Sequence, residues 1–155
     1  MTGGEWGAKL AAFRQVSPAL PGRRRRLARA CGMEPPSVLV IGAGAAGLTA
    51  ALFAAREGAR VHVRESSRKG GKKIVVSGGG RCNVLPSELD PSRYVTASSP
   101  RTMRRMLLAW SLDEQRAFFE DDLGVPLALE PETGKLFPRS NRATDVRDAL
   151  VAAAL

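Results

Sequence analysis

The hydrophobic pattern changes period twice between residues 38 and 64. Val38-Leu39-Val40-Ile41 is a short unbroken apolar run, mostly β-branched, as in a strand buried on both faces. Gly42 then opens a turn. From Ala45 to about Glu57 the chain is rich in Ala and carries Leu48, Leu52 and Phe53, which predicts a helix, with Gly58 as its C-terminal stop. Arg60 to Arg64 alternates and reads as a second strand ending at Glu65. Strand, helix and strand joined by a tight first turn make a βαβ unit, so the two strands are expected to be parallel.

Beyond it the signals are shorter. Ile74-Val75-Val76 reads as a brief extended stretch leading into a run of glycines. Ser99 with Pro100 predicts the cap and first residue of a helix running to about Ala109. Ser111 and Glu114 have the spacing of a capping box for the next helix, which Gly124 ends. Leu127 to Leu129 and Leu136-Phe137 are expected to pair as a hairpin around Glu130 to Gly134. Thr144 begins a last helix, and Trp110, Phe118 and Phe119 fall at helical spacing as core candidates.

Composition adds little to the fold and more to the exclusions. In 155 residues, 44% are apolar and 25% charged, ordinary for one modest globular domain. No apolar run approaches a membrane span. Two cysteines and one histidine offer neither a disulfide framework nor a metal centre, so no metal is expected and a reducing cytoplasm is the reading. The net charge of +9 is uneven. Residues 1–32 hold seven basic groups against Glu5 alone, whereas the other 123 residues carry only +3. Residues 1–33 are therefore read as a basic, disordered tail, with Met33 a candidate natural start. Arg23–Arg26 could meet a phosphate backbone, but without interleaved aromatics nucleic acid is not the expected partner.

Gly42-Ala43-Gly44-Ala45-Ala46-Gly47 carries the first chemistry. Such a G-x-G-x-x-G is a weak signal alone, but here it follows a buried strand and opens a helix. Glu65 stands 18 residues beyond Gly47, at the end of the next strand. Gly42 permits the turn, Gly44 lets the backbone approach a pyrophosphate, and Gly47 lets the helix pack close. Free N–H groups around Ala45 and Ala46, with the positive helix end, then face a diphosphate. Glu65 is placed to accept from ribose hydroxyls, and its charge disfavours a 2′-phosphate. Ser66 and Lys73, on the basic loop that follows, join the candidate cofactor-binding set, a solvated loop being the alternative for Lys73.

Gly71-Lys72-Lys73-Ile74-Val75-Val76-Ser77-Gly78-Gly79-Gly80-Arg81-Cys82-Asn83 resembles the signature of the aminoacetone-oxidase-like NAD(P)/FAD-dependent oxidoreductases, a branch of the two-dinucleotide-binding-domain flavoproteins. Gly134-Lys135-Leu136-Phe137-Pro138-Arg139-Ser140-Asn141-Arg142-Ala143 is also similar, and the resemblance extends over about residues 37–155. Lys72 departs from the arginine usual there. The resemblance implies FAD as cofactor, an α/β Rossmann-like FAD-binding fold, and electron or hydride transfer with NAD(P)H as a second partner. It further implies that residues 34–155 are the N-terminal part of an FAD-binding domain, since family members run well over twice this length. Gly79, Gly80, Arg81, Cys82 and Asn83 are then candidate flavin contacts. Glycines permit positive φ and close approach of main-chain amides, and Arg81 can stabilise negative charge on the reduced ring or the phosphates. The other reading of the segment is a structural turn with Arg81 in a salt bridge. Cys82 fits a small packing residue better than a redox thiol, having no C-x-x-C partner. No catalytic acid or base is identifiable. The competing functions are a nucleotide-binding fragment without turnover and nucleic-acid association through the tail.

Overall fold

The computed structural model describes residues 13–15 and 34–154. Strand β2, Ser37–Ile41, is followed by helix α1, Ala45–Arg56, and strand β3, Arg60–Arg64. The strands pair in parallel from Ser37↔Arg60 to Ile41↔Arg64, as a βαβ unit requires. A three-residue strand β1, Phe13–Gln15, lies antiparallel along the other side of β3. The reading of residues 1–33 as an unstructured tail gave no element at those three positions. The rest of that tail lies outside the described residues.

The core of this part follows from the two periodicities. Leu48, Ala51, Leu52 and Ala55, spaced three and four apart, are the buried stripe of α1. Val61 and Val63 of β3 are buried, and Val38 and Val40 of β2 are half-buried beside them in register. Alternate strand residues point to opposite faces. The other face therefore carries Leu39 and Ile41, 58% and 74% exposed, beside His62 and Arg64. The expectation of a strand buried on both faces is corrected here: α1 covers one face of the sheet only.

The chain divides into two units, residues up to 75 together with 147 onward, and residues 76–146. In the second unit, β5 (Leu127–Glu130) and β6 (Lys135–Pro138) form the expected antiparallel hairpin. A two-residue strand β4, Leu85–Pro86, adds to the other side of β6. Leu85, Leu127, Leu136 and Phe137 are buried in the sheet and Phe118 and Val125 beside it. Phe118 meets Trp110 and Phe119 edge-on, with centroids 5.5 and 5.3 Å away.

Local signals set the helix ends. The Ser99 hydroxyl accepts from the Thr102 N–H to cap α3, Pro100–Leu108. Ser111 and Glu114 close a full capping box on α4, Leu112–Ala117, which continues into a wider turn over Phe118–Asp122. The last helix, α5, runs Ala143–Ala154 and begins one residue earlier than its pattern suggested. One assignment fails. Ile74-Val75-Val76 is not extended but lies in a short helix α2, Lys72–Val76. The Gly71 carbonyl accepts from both Ile74 and Val75 N–H groups, and this turn with burial of Ile74 outweighs the strand preference of β-branched residues. The architecture is α/β and Rossmann-like.

Candidate nucleotide-binding site

Three glycines of the first motif turn out to be glycines for three different reasons. Gly42 has φ +97°, which side-chain-bearing residues rarely adopt, while its N–H donates to the Arg64 carbonyl at 2.7 Å. Gly47 has no conformational need, but a β-carbon there would collide with the Gly42 carbonyl oxygen. Gly44 has neither constraint. Its φ is −81°, and a β-carbon on it would meet nothing within 4 Å. It caps α1 without a side chain to satisfy the helix's first amides, and Ala45 and Ala46 beside it are exposed. The first helical turn thus offers N–H groups and the positive helix end to open space. A diphosphate fits that cradle.

Glu65 is bound into the turn rather than hanging free beside it. Its two carboxylate oxygens accept from the Ala43 N–H and the Ser67 N–H, each at 2.7 Å, and the Ser66 hydroxyl lies at 3.4 Å. The Ser67 amide, then the Ala43 amide, hold its carboxyl below the usual glutamate range, against a smaller opposing effect of burial. The Ala43 carbonyl in turn accepts from the Gly71 N–H at 2.7 Å. Residue 43 therefore ties together the turn, the end of β3 and the loop after it. Carboxylate oxygens have further lone pairs for ribose hydroxyls.

Next to Glu65 lies a cavity of about 500 Å³. Val63 and Val151 supply apolar wall, and Ser67, Arg68, Lys69 and Arg147 supply polar groups. Of the residues expected from sequence, Glu65 lines this cavity and Ser66 does not, while Ser67 to Gly70 and the α5 residues were missed. The run Ser67-Arg68-Lys69-Gly70, directly after the acidic strand end, was the available signal. Arg147 and Val151 gave none, being far away in sequence. Gly71, φ +61°, leaves room for the Arg147 side chain. Lys73 sits exposed in the first turn of α2, outside the residues lining the cavity.

The second motif forms its own tight structure in the second unit. Ser77–Gly80 is a kinked turn whose Gly78 and Gly79 depart from helical geometry, and Gly78, Gly79, Gly80 and, just beyond it, Cys82 all have positive φ, from +56° to +87°. Gly78 is fixed by crowding against Asn83 and Phe137, whereas Gly79 and Gly80 have open space where a β-carbon would stand. The Arg81 guanidinium pairs with Glu130 at 2.6 Å and lies 4.1 Å over the Phe137 ring. Glu130 also accepts from the Thr133 hydroxyl, and its carboxyl is held low chiefly by Arg81. Cys82 is buried, its N–H donating to the Ser77 carbonyl. Burial pushes its thiol up, against a smaller opposing hydrogen bond from Ser77, so the protonated form is favoured. Asn83 is exposed. Among the described residues, no cluster of His, Cys, Asp and Glu could hold a metal ion, and no helix is long and apolar enough to cross a membrane.

The chain is 36% identical over 113 residues to a 3-dehydro-bile acid delta(4,6)-reductase of Clostridium scindens, covering 72% of this chain and 27% of that protein. It is 41% identical over 64 residues to a ribosomal RNA dihydrouridine synthase of Escherichia coli, 41% of this chain and 16% of the relative. An L-glutamate oxidase precursor of Streptomyces viridosporus is 39% identical over 88 residues, 56% of this chain and 12% of the relative. The matches span little more than a quarter of any of these relatives. The HI0933-like protein Rossmann domain matches residues 36–154, taking in both glycine motifs, and the chain belongs to this family of FAD-dependent oxidoreductases.

Proposed function

We propose that this chain binds FAD through the adenosine-diphosphate half of the cofactor and serves electron or hydride transfer between NAD(P)H and an organic substrate or oxygen. The observation that carries the reading is Gly44. Neither backbone conformation nor protein packing fills the place where its β-carbon would stand, so that space at the helix N-terminus is open to a ligand. In this reading the amides around Gly44, Ala45, Ala46 and Gly47 hold the diphosphate, and Glu65 accepts from the ribose hydroxyls. The cavity walled by Val63 and Val151 takes the adenine. The carboxylate at Glu65 turns away a 2′-phosphate by charge. FAD, when bound, supplies the redox chemistry. Ser77 to Asn83 are assigned to the flavin on family resemblance, with Gly79 and Gly80 presenting main chain. Arg81 acts there from a position already fixed by Glu130 and Phe137.

The relatives support redox chemistry without fixing a substrate, because their names describe a steroid, an RNA and an amino acid. A reducing cytoplasm is the compartment we propose, which the scarcity of cysteine supports. The deciding experiment is an FAD titration of wild type beside Gly44→Val. Wild type is expected to bind and Gly44→Val to lose retention, because the branched side chain fills the diphosphate's space. Equal titrations would overturn the reading. A second reading is nucleotide binding without turnover. Bound flavin with no NAD(P)H oxidation above that of free flavin would establish it.

A further inference from the structure

Beside strand β4 lies a second cavity, of about 290 Å³, wholly within the second unit. Val84, Leu85 and Pro86 give it an apolar wall, and Asn83, Arg93, Tyr94, Thr133 and Lys135 bring polar atoms. No acidic side chain lines it. The fold explains why these groups meet. Leu85 and Pro86 pair with Leu136 and Lys135, which sets Lys135 opposite Pro86. The Ser87 N–H donates to the Gly134 carbonyl at 2.8 Å and fastens the β5–β6 turn to the segment after β4. Asp90 caps the turn Pro91–Arg93 by accepting from the Ser92 N–H, and that turn delivers Arg93 and Tyr94.

Both cations of the cavity keep donors to spare. Arg93 meets Asp90 only through Nε, at 3.6 Å, longer than a hydrogen bond. The Asp90 carboxylate already accepts from the Ser92 amide and hydroxyl, so the rest of the guanidinium fork is left over. Lys135 makes no ion pair among the described residues. Glu130, opposite it on β5, is taken by Arg81 at 2.6 Å and by the Thr133 hydroxyl at 2.7 Å. Two such cations with no acid lining the space select an anion. The apolar wall and the Tyr94 ring, 41% exposed, select a flat apolar body attached to it. A bare inorganic anion would leave wall and ring to water. A zwitterion would bring an ammonium that finds no acidic partner here. The volume lies at the lower end for ligand pockets, which limits the occupant to a small, single-ring molecule.

We propose that this cavity is a binding site for a small aromatic carboxylate, its charge held by Arg93 and Lys135 and its ring against Tyr94. Asn83 is shared with the segment assigned to the flavin. The occupant therefore stands as the organic substrate of the proposed reaction, a role that, unlike the binding itself, rests on the FAD reading.

The test is calorimetric titration of the full chain with benzoate, at low salt and without added flavin, with amide NMR spectra to locate the site. Benzoate is expected to bind in the millimolar range and to shift the amides of residues 83–85, 93, 94 and 133–135. Benzamide, its neutral counterpart, should bind at least about tenfold more weakly, and Arg93→Ala/Lys135→Ala should weaken benzoate by a similar factor. Tyr94→Leu should weaken benzoate about fivefold and leave cyclohexanecarboxylate, which has no aromatic face, unchanged. The charge-keeping Arg93→Lys/Lys135→Arg variant should retain most of the affinity, and circular dichroism of each variant checks that the fold survives. Undetectable benzoate binding, equal binding of benzamide, or an unaffected double alanine variant overturns the proposal. Inorganic phosphate binding as tightly as benzoate, or shifts confined to other residues, overturns it too. If benzoate binds and FAD does not, the pocket stands and the FAD reading fails. A normal FAD titration without benzoate binding does the reverse.

Discussion

The two glycine motifs look alike in sequence and are built on opposite principles. In the first, Gly42 to Gly47 take their shape from residues within one βαβ unit, and only Gly42 adopts positive φ. Its side-chain anchor, Glu65, is the end of the very next strand. In the second, Gly78, Gly79, Gly80 and Cys82 all lie at positive φ within five residues, a conformation that local sequence tolerates but does not favour. That loop is held instead by a partner 49 residues away, Glu130, and by the ring of Phe137. The first motif is a local design that leaves one open place for a ligand. The second depends on the rest of its unit to exist at all.

The largest effect that would test this contrast is Gly47→Val. A β-carbon there overlaps a backbone oxygen that cannot move without breaking the turn. A loss of about 3 kcal/mol or more is expected in chemical denaturation. A loss below about 1 kcal/mol would show that the turn is not held as described.

Gly44→Ser separates ligand from fold within the same motif. Gly44 has the extended conformation of a helix N-cap, which serine fills well. Stability without cofactor should change by no more than about 0.5 kcal/mol in serine's favour, while FAD affinity falls about a hundredfold. Parallel loss of stability and binding would remove the distinction between Gly44 and Gly47.

In the second motif, Arg81→Ala removes a half-exposed ion pair and a cation stacked on Phe137. About 1 kcal/mol of destabilisation is expected, most of it from the stack on Phe137, since exposed pairs contribute little. Thermal melts of Arg81→Ala, Glu130→Gln and the double variant would show the coupling as non-additivity. Additive losses would mean that the loop is held by something else.

The smallest expected effect is a pH dependence through Glu65. Its carboxyl is held below the ordinary value of about 4.3 in the folded protein. A group depressed on folding contributes its stability above the unfolded value and loses it as pH falls through the folded one. The stability difference between wild type and Glu65→Gln should therefore be constant from neutral pH down to about 4.3, and shrink only below it. A difference that closes well above that value would mean that the Ala43 and Ser67 amides do not hold the carboxylate in solution.

Much of this protein is written in short-range chemistry. The β2–α1–β3 unit could be read from sequence because a period change, a glycine turn and a stop at Gly58 each act within a few residues. The caps at Ser99 and Ser111 and the Leu127–Phe137 hairpin were legible for the same reason. So were Gly42, Gly47 and Glu65, whose roles are set by one turn and one strand end. Tertiary structure decided what needed a distant partner. Burial of Ile74 and the carbonyl of Gly71 turned a β-branched run into helix α2. Coverage by one helix left Leu39 and Ile41 exposed, although their run reads as buried on both faces. Arg147 and Val151 reached the cavity beside Glu65 only because α5 contributes to the same unit as the first strands. Arg81 was given two readings by its motif, a flavin contact or a salt bridge. The salt bridge is in place, because Glu130 and Phe137 are brought to it by a hairpin that nothing near residue 81 encodes.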